Sequence, residues 1–273
     1  MENKIIVTMT SWTKRINQVG PAIYRYLKSQ TIKPDIFYLW LAEEEFPNKE
    51  KDLPNDLLLT CEAFDVKIKW TKYNEYCFKR WRVYPEHYND FVFSMDDDII
   101  YDNDLIETCI NRYKEIKEPC VISWQKPGCV LQPDRLNIIY DWCPISSYKI
   151  ASITNYFLGQ TCFTPGAFPV EIFTDKYWNR IKEICPKCDE SVIHPFLIKN
   201  GIKIYFCSDK EKAKTIQSLQ DVGLLQEMHN TIIKINGKCY KKQHVLKYNI
   251  LKAFPELQEK WKIAFPNYNF NEF

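Results

Sequence analysis

Along the first part of the chain, short apolar runs alternate with segments whose apolar residues recur every three or four positions. The apolar runs predict four strands, at 4–12, 35–42, 66–73 and 90–95. The run DIFYLWLA at 35–42 is apolar enough to be covered on both sides. The periodic segment 16–30 predicts a helix between the first two strands. Strands that alternate with helices in this way predict right-handed crossovers and a mostly parallel sheet.

The second part of the chain has a less regular pattern. Further helices are predicted at 78–88 as far as Pro85, 103–116, about 174–184, 189–200, near 220–235 and 241–254, and strands at 120–125 and 203–207. Residues 126–170 are rich in Pro, Gly, Ser and aromatic residues, which is typical of loops around a site. We expect one α/β domain at 1–215, with halves at about 1–125 and 126–215. A helical extension at 216–273 would pack on it.

Composition restricts the class of protein. The chain has 273 residues, 26% of them charged and 45% hydrophobic, which describes an ordinary globular protein with one large core or two small ones. A net charge of +2 gives no reason to expect a nucleic-acid partner, since that would need a basic stripe. No run reaches the roughly 18 apolar residues that a membrane span needs.

The eleven cysteines bear on the cellular compartment. The N-terminal residues show no apolar signal core, so we expect a cytoplasmic protein whose thiols are reduced. An odd number of cysteines also fits free thiols better than a disulfide framework. Cys185 and Cys188 form a single CxxC motif, but a zinc site would want a second pair at similar spacing. A structural zinc ion there is the alternative to reduced core thiols.

A dense group of carboxylates follows the strand predicted at 90–95. Asp96, Asp97 and Asp98 are consecutive, and Asp102 and Asp104 come shortly after them. In open α/β sheets, ligands bind at the carboxyl ends of the strands. Carboxylates crowded together either share a proton or hold a cation, and oxygen ligands select Mg²⁺ or Mn²⁺. We therefore predict a cation site at the triplet, against the alternative of a solvated turn that caps the next helix. Helix starts favour acids, which explains the last two aspartates.

Several segments resemble one family. The strand end DDDIIY is similar to the D-x-D element of nucleotide-sugar glycosyltransferases with the GT-A fold. The segments that are similar to a bacterial branch, glycosyltransferase family 2, are IIVTMTSWTKRI, LKSQTIKPDIFYLWLAEEEFP and FKRW. This resemblance covers roughly residues 4–125. A weaker resemblance follows at 157–168 and 185–204, and the last part of the chain matches only loosely.

The resemblance implies a fold and an activity. The fold would be GT-A-like (Rossmann-like), a mostly parallel sheet flanked by helices, with C-terminal helical additions. The activity would be metal-dependent transfer of a hexose from a nucleoside diphosphate, with a UDP-sugar favoured, to a glycan or lipid-linked saccharide. The reaction would be inverting, would use Mn²⁺ or Mg²⁺, and would serve the synthesis of a surface polysaccharide such as lipopolysaccharide or capsule.

The resemblance also implies roles on the donor side. Asp96 would face the nucleotide ribose and Asp98 would hold the metal directly. Asp97 would point away, since neighbouring residues of a strand alternate faces. His229 would be a further metal ligand, because such enzymes often use a late histidine. Lys79 of FKRW occupies the position of a lysine near the nucleotide, whereas Arg80 and Arg82 are as easily exposed helix charges.

The nucleotide is expected over the end of the first strand. There the segment TSWTKR offers hydroxyl partners and one guanidinium for phosphate, in Thr8, Thr10, Ser11 and Arg15. Trp12 would either stack on the base or belong to the core. The acid pair Asp189 and Glu190 matches a paired-acid element of the family, so one of the two would be the base that takes the proton of the acceptor hydroxyl. An acid that only caps its helix is the alternative.

Two other activities and one location stay open. A sugar nucleotidyltransferase would usually begin with a Gly-rich loop, and TMTSWTKR contains no Gly. A carbohydrate-binding module with an acidic metal site would tend to be all-β. Basic amphipathic segments at 241–254 and 257–265 could lie on the inner face of the membrane, as a peripheral contact. Alternatively, their apolar residues pack on the domain and their lysines face solvent.

Overall fold

A computed structural model describes residues 3–124, 160–216, 231–266, 268 and 270. Its strands are β1 Ile5–Thr10, β2 Ile36–Ala42, β3 Lys67–Thr71, β4 Phe91–Met95, β5 Ile99–Tyr101, β6 Cys120–Ser123, β7 Thr161–Phe163, β8 Lys203–Phe206, β9 Ala213–Thr215, β10 Ile232–Ile235 and β11 Lys238–Lys241. Its α-helices are α1 Ile16–Ser29, α2 Asn55–Ala63, α3 Tyr84–His87, α4 Leu105–Ile116, α5 Asp175–Ile184, α6 Asp189–Lys199, α7 Lys242–Ala253 and α8 Pro255–Ala264. Short 3-10 helices occupy Lys49–Asp52, Tyr76–Val83 and Val170–Phe173.

Seven strands form the central sheet, in the order β3-β2-β1-β4-β7-β6-β8. All neighbouring pairs are parallel except the two made by β7, which runs antiparallel to β4 and to β6. The predicted α/β class with a mostly parallel sheet is therefore confirmed. Two two-stranded sheets, β5-β9 and β10-β11, stand beside the central one.

Both faces of the central sheet are buried. Successive strand residues point to opposite faces, so Ile6 and Val92 belong to one buried cluster while Val7 and Phe93 belong to the other. A strand covered on both faces needs apolar residues at nearly every position, which is why β1, β2 and β4 read as continuous apolar runs. The site described below lies where these buried strands end.

Two predicted elements are wrong in part. The segment 78–88 forms the 3-10 helix Tyr76–Val83 followed by α3, so Pro85 stands at the start of a helix and not at its end. Residues 232–235 of the helix predicted near 220–235 form β10, which pairs antiparallel with β11. The turn between them is Asn236–Gly237, and both residues have positive φ, as a two-residue hairpin turn requires. Residues 217–230 lie outside the described part.

The two C-terminal helices pack on the central domain. Ile250 and Leu251 of α7, and Leu257 and Trp261 of α8, belong to the same buried cluster as Ile6 of β1. The apolar residues of the segment 241–254 are thus covered by the protein's own core. Within the described part of the chain, no helix is both long and apolar enough to cross a membrane.

Candidate active site

The candidate site lies at the carboxyl ends of β1 and β4, which are parallel neighbours in the centre of the sheet. From β1 the chain continues outward to β2 and β3, and it then returns to β4 on the other side of β1. The direction of strand order therefore reverses between β1 and β4. In open α/β sheets, such a reversal leaves a crevice at the carboxyl edge where ligands bind. Ser11 and Arg15 follow β1 at this edge, and the aspartate triplet follows β4.

Arg15 holds two of the three aspartates. Its Nη1 donates to Asp98 Oδ2 at 2.6 Å, and its Nη2 lies 3.0 Å from Asp97 Oδ1. The Ser11 hydroxyl donates to the other oxygen, Asp97 Oδ2, at 2.5 Å. The Asp97 side chain is 1% exposed and contacts both of these residues after β1, and its predicted orientation away from the metal stays a prediction. The strand rule of alternating faces does not reach Asp97, because β4 ends at Met95.

Arg80 holds the third aspartate. It is buried, and its Nη1 donates to Asp96 Oδ1 at 2.6 Å and to Ser94 Oγ at 3.2 Å. The hydroxyl of Tyr101 accepts from the backbone N–H of Asp96 and donates to its carbonyl, which holds the main chain at this point. Arg80 is therefore not an exposed helix charge. Arg82 does not contact the triplet in these bonds. It forms a bidentate ion pair with Glu75.

Among the described residues, the guanidinium groups of Arg15 and Arg80 contact the three carboxylates of the triplet. The pKa of Asp98 is raised to about 6, first by burial and then by the charge of Asp96, while Arg15 opposes the shift. Burial also raises the pKa of Asp96, against the charge of Arg80. Crowded carboxylates of this kind are stabilised by a cation.

The residues present fit a magnesium or manganese ion that keeps part of its own ligand shell. Mg²⁺ commonly takes only one or two protein carboxylates and completes its shell with water and substrate phosphate. The side chains of Asp96 and Asp98 are partly exposed, at 24% and 13%. Within the ranges that the structure describes, no group of three or more His, Cys, Asp or Glu side chains is arranged to hold an ion. His229 lies outside these ranges.

Lys79 is a buried cation beside the loop after β1. Its Nζ donates to Asn74 Oδ1 at 3.0 Å, Glu45 Oε2 at 3.1 Å and the Ser11 carbonyl at 3.3 Å. Burial lowers the pKa of Lys79, while the charge of Glu45 opposes this. Lys79 thus lies next to Ser11, and its predicted role near the nucleotide stays a prediction.

The strand threonines have structural contacts. The Thr8 hydroxyl is fully buried and donates to the carbonyl of Arg80 at 2.8 Å. The Thr10 hydroxyl donates to the Trp40 carbonyl of β2 at 2.9 Å. Their predicted contact with a nucleotide stays a prediction, and the burial of Thr8 favours a structural role for it. Trp12 is partly exposed, with the Lys14 ammonium 5.1 Å from its ring centre, so it is not a core residue.

The acid pair begins helix α6 and is tied to the triplet through one short segment. The indole N–H of Trp81 donates to Asp189 Oδ2 at 2.6 Å, and Asp189 is almost fully buried. Arg80, the neighbour of Trp81, would lose basicity through burial, but the charges of Asp96 and then Asp189 raise its pKa. Consecutive residues of one 3-10 helix therefore hold an aspartate of each group. This segment brings together the two groups that the sequence placed far apart.

Glu190 differs from its neighbour. Its pKa is raised well above the usual range, first by burial and then by the negative charge of Asp189. The dipole at the start of a helix would favour the ionised acid. Burial and the like charge outweigh that effect here.

The CxxC motif consists of two buried free thiols just before α6. Cys185 Sγ donates to the Cys188 carbonyl at 3.2 Å, and Cys188 Sγ lies 3.1 Å from Ser191 Oγ. The pKa of Cys188 is lowered to about 7, chiefly by a hydrogen bond with the Cys185 thiol. Both thiols therefore have partners within the protein.

Comparisons with known proteins give little further information. No family model and no curated protein matches the sequence. Among solved structures, a crystal structure of S. aureus TarS is similar over 92% of this chain, at 12% sequence identity and a TM-score of 0.43. The chain spans 43% of the length of that protein chain. A similarity at this level adds no argument about function, which has to be argued from the site.

Proposed function

We propose that the protein is a metal-dependent glycosyltransferase that moves a hexose from a nucleoside diphosphate to a saccharide. A UDP-sugar is the favoured donor, and a glycan or lipid-linked saccharide of surface polysaccharide synthesis is the favoured acceptor. The observation that supports this best is the convergence of three features at one sheet edge. The aspartate triplet after β4 meets the Ser11–Arg15 loop after β1, and Arg80–Trp81 connects both to Asp189, the buried member of the acid pair.

On the donor side, the reaction needs groups that accept the negative charge of the departing diphosphate. A bound divalent cation would supply most of this stabilisation, held by the carboxylates of Asp96 and Asp98. Arg15 already lies between Asp97 and Asp98 at this edge, and a guanidinium group matches the geometry of phosphate oxygens. Arg80 keeps Asp96 in place, because it donates hydrogen bonds both to Asp96 and to Ser94 of β4.

On the acceptor side, a base has to take the proton of the attacking hydroxyl. Glycosyl transfer passes through an oxocarbenium-like state. Attack by the acceptor hydroxyl on the face opposite the diphosphate would invert the configuration of the sugar. Asp189 and Glu190 lie on the acceptor side in this proposal. Replacing the true base with its amide should reduce transfer by about 10²–10⁴-fold and leave donor binding nearly unchanged. Full activity in both amide variants would remove this pair from the mechanism.

The two alternatives have less support. A carbohydrate-binding module would be expected to be all-β, whereas the central sheet is mostly parallel and flanked by helices. A sugar nucleotidyltransferase would need a Gly-rich loop after β1, and the sequence there is SWTKR. The release of inorganic pyrophosphate from a nucleoside triphosphate and a sugar phosphate would nevertheless identify that activity directly.

A hydrolysis screen tests the proposal. The protein is incubated with a panel of nucleotide sugars in the presence and absence of Mn²⁺, and release of the nucleoside diphosphate is measured. We expect Mn²⁺-dependent release from one donor, its loss in Asp98→Asn and its retention in Asp102→Asn. Asp102 is a suitable control because it lies four residues away and its side chain is 47% exposed. Hydrolysis that is unaffected by Asp98→Asn would contradict the proposed site.

A further inference from the structure

The indole ring of Trp81 packs in the core next to Asp189 of the acid pair. The ring is fully buried, stacks against Tyr84 and Phe168, and meets the edge of Phe163. An indole nitrogen can only donate a hydrogen bond and never accepts one. Its partner, Asp189 Oδ2, lies at 2.6 Å, which is short for an N–H donor. The ring therefore fixes both the position of Asp189 and the direction of its bond.

The two neighbouring acids, Asp189 and Glu190, affect each other's ionisation. A hydrogen bond donated to a carboxylate favours its ionised form, whereas two neighbouring buried carboxylates resist ionising together. Glu190 has no such donor from an indole, and burial and the charge of Asp189 raise its pKa well above the usual range. Asp189 accepts a short bond from a side chain that can only donate, whereas the Cys188 thiol lies 3.5 Å from Glu190 Oε2.

We propose that Trp81 is a positioning residue for this pair: its N–H fixes the carboxylate of Asp189, so that Asp189 and not Glu190 is placed to take the proton of the acceptor hydroxyl. The inference rests on the proposed function. During transfer, the acceptor hydroxyl would give its proton to Asp189 as its oxygen bonds to the sugar. The bond from the sugar to phosphate breaks in the same step, and its electron pair leaves with the diphosphate.

Other charged and titrating groups face the pair and must be considered. Arg80 and Cys77 approach from the 3-10 helix, and Lys247 approaches from α7. Cys188 Sγ lies 3.5 Å from Glu190 Oε2, and the Cys185 thiol is its neighbour. Because the pKa of Cys188 is lowered to about 7, its titration would overlap with a pH profile of activity. The profile is therefore also measured in Cys188→Ser, which removes that titration.

The chain offers a matched control for Trp81. Trp261 lies in the same buried cluster and is almost as enclosed, and among the described residues its indole nitrogen has no hydrogen-bond partner. Trp81→Phe and Trp261→Phe both remove one N–H and keep an aromatic ring, but only the first removes a hydrogen bond to an acid. The difference between the two variants therefore reports on the N–H and not on ring size.

The test measures transfer against pH, with kcat and the donor KM separated. For Trp81→Phe we expect kcat to fall about 10–100-fold, the loss of one charged hydrogen bond, with the donor KM unchanged. The pH profile of kcat should also differ from that of the wild type, because the proposed base loses its fixed hydrogen-bond donor. Trp261→Phe should behave like the wild type. An unchanged profile in Trp81→Phe, or equal losses in both variants, would overturn the inference.

A second measurement does not depend on how well Trp81→Phe folds. In the ¹⁵N NMR spectrum of the wild-type protein, the Trp81 indole signal should change in Asp189→Asn and stay in place in Glu190→Gln. An indole signal that is unchanged in Asp189→Asn would overturn the inference by itself. If the wild type transfers no sugar from any donor, it is the proposed function that fails. A wild type that transfers sugar while both tests of Trp81 are negative contradicts only this inference.

Discussion

Asp96 and Arg80 are joined by a hydrogen bond of 2.6 Å between a carboxylate oxygen at the sheet edge and a buried guanidinium nitrogen. The arginine is held in turn from three directions. The Thr8 hydroxyl donates to its carbonyl, its Nε donates to the Cys77 carbonyl, and its Nη1 also reaches Ser94. Contacts from β1, from the 3-10 helix and from β4 thus meet at one residue, Arg80. The position of the aspartate triplet depends on this contact.

Replacing Arg80 with lysine tests that dependence. A lysine cannot make the contacts to Asp96, Ser94 and Cys77 at once, because it lacks the planar fork. The loss of a charged hydrogen bond of roughly 1.5–3 kcal/mol should weaken nucleoside diphosphate binding about 10–100-fold by calorimetry. Arg82→Lys is the matched control, since Arg82 pairs with Glu75 outside the triplet. Equal effects of both variants would show that Arg80 has no special part in the site.

Asp97→Asn should lower the stability of the folded protein. Asp97 is buried and contacts both Ser11 and Arg15, so an amide would present a donor where the structure has two donors already. We expect the free energy of unfolding to fall by about 1–3 kcal/mol in urea denaturation. Asp102→Asn should change it by less than about 0.5 kcal/mol, as exposed positions do. An unaltered midpoint for Asp97→Asn would argue against the buried contact.

Strand positions were predictable from the sequence because strands buried on both faces leave continuous apolar runs, as in β2 and β4. The hairpin β10–β11 was missed although Asn236–Gly237 is a strong turn signal, since the lysines and isoleucines around it also fit a helix. Helix α2 was missed because it buries only Leu57 and Cys61.

The site was only partly predictable. The triplet and the acid pair could be found from carboxylate density and from resemblance. The burial of Arg80 could not, because sequence periodicity does not describe a 3-10 helix whose charged residues face inward. The bond from Trp81 to Asp189 joins residues 108 positions apart, and no local pattern encodes such a contact.

Helix α8 should lose part of its anchoring at low pH. Glu256 accepts from the Tyr177 hydroxyl and from Lys176, and its pKa is lowered to about 2, chiefly by the hydrogen bond with Lys176. Its contribution is present above the unfolded pKa near 4.5 and disappears as the pH falls toward 2. Because the pair is partly exposed, the effect should be below about 1 kcal/mol.

The check is thermal unfolding of Glu256→Gln and Glu259→Gln between pH 7 and pH 3. Glu259 is an exposed acid on the same helix. We expect Glu256→Gln to be less stable than the wild type at pH 7 and to approach it at low pH, while Glu259→Gln follows the wild type throughout. A constant difference between Glu256→Gln and the wild type across this range would contradict the assignment.

The C-terminal helices should not bind membranes in the folded protein. Val245, Ile250 and Leu251 of α7 are buried, although Ile263 of α8 is 67% exposed. An amphipathic helix needs a free apolar face to enter the headgroup boundary. In liposome flotation at low salt, the protein should stay at the bottom with vesicles that contain anionic lipids. Flotation that is lost on truncation after Lys238 would contradict this expectation.

The central claim is that the edge between β1 and β4 binds a nucleoside diphosphate together with a divalent cation. Isothermal titration calorimetry with UDP and other nucleoside diphosphates, with and without Mn²⁺, tests it most directly. The account predicts binding that requires Mn²⁺, disappears in Asp98→Asn and persists in Asp102→Asn. Binding of the same strength without Mn²⁺, equal binding in Asp98→Asn, or no binding of any nucleoside diphosphate would contradict it.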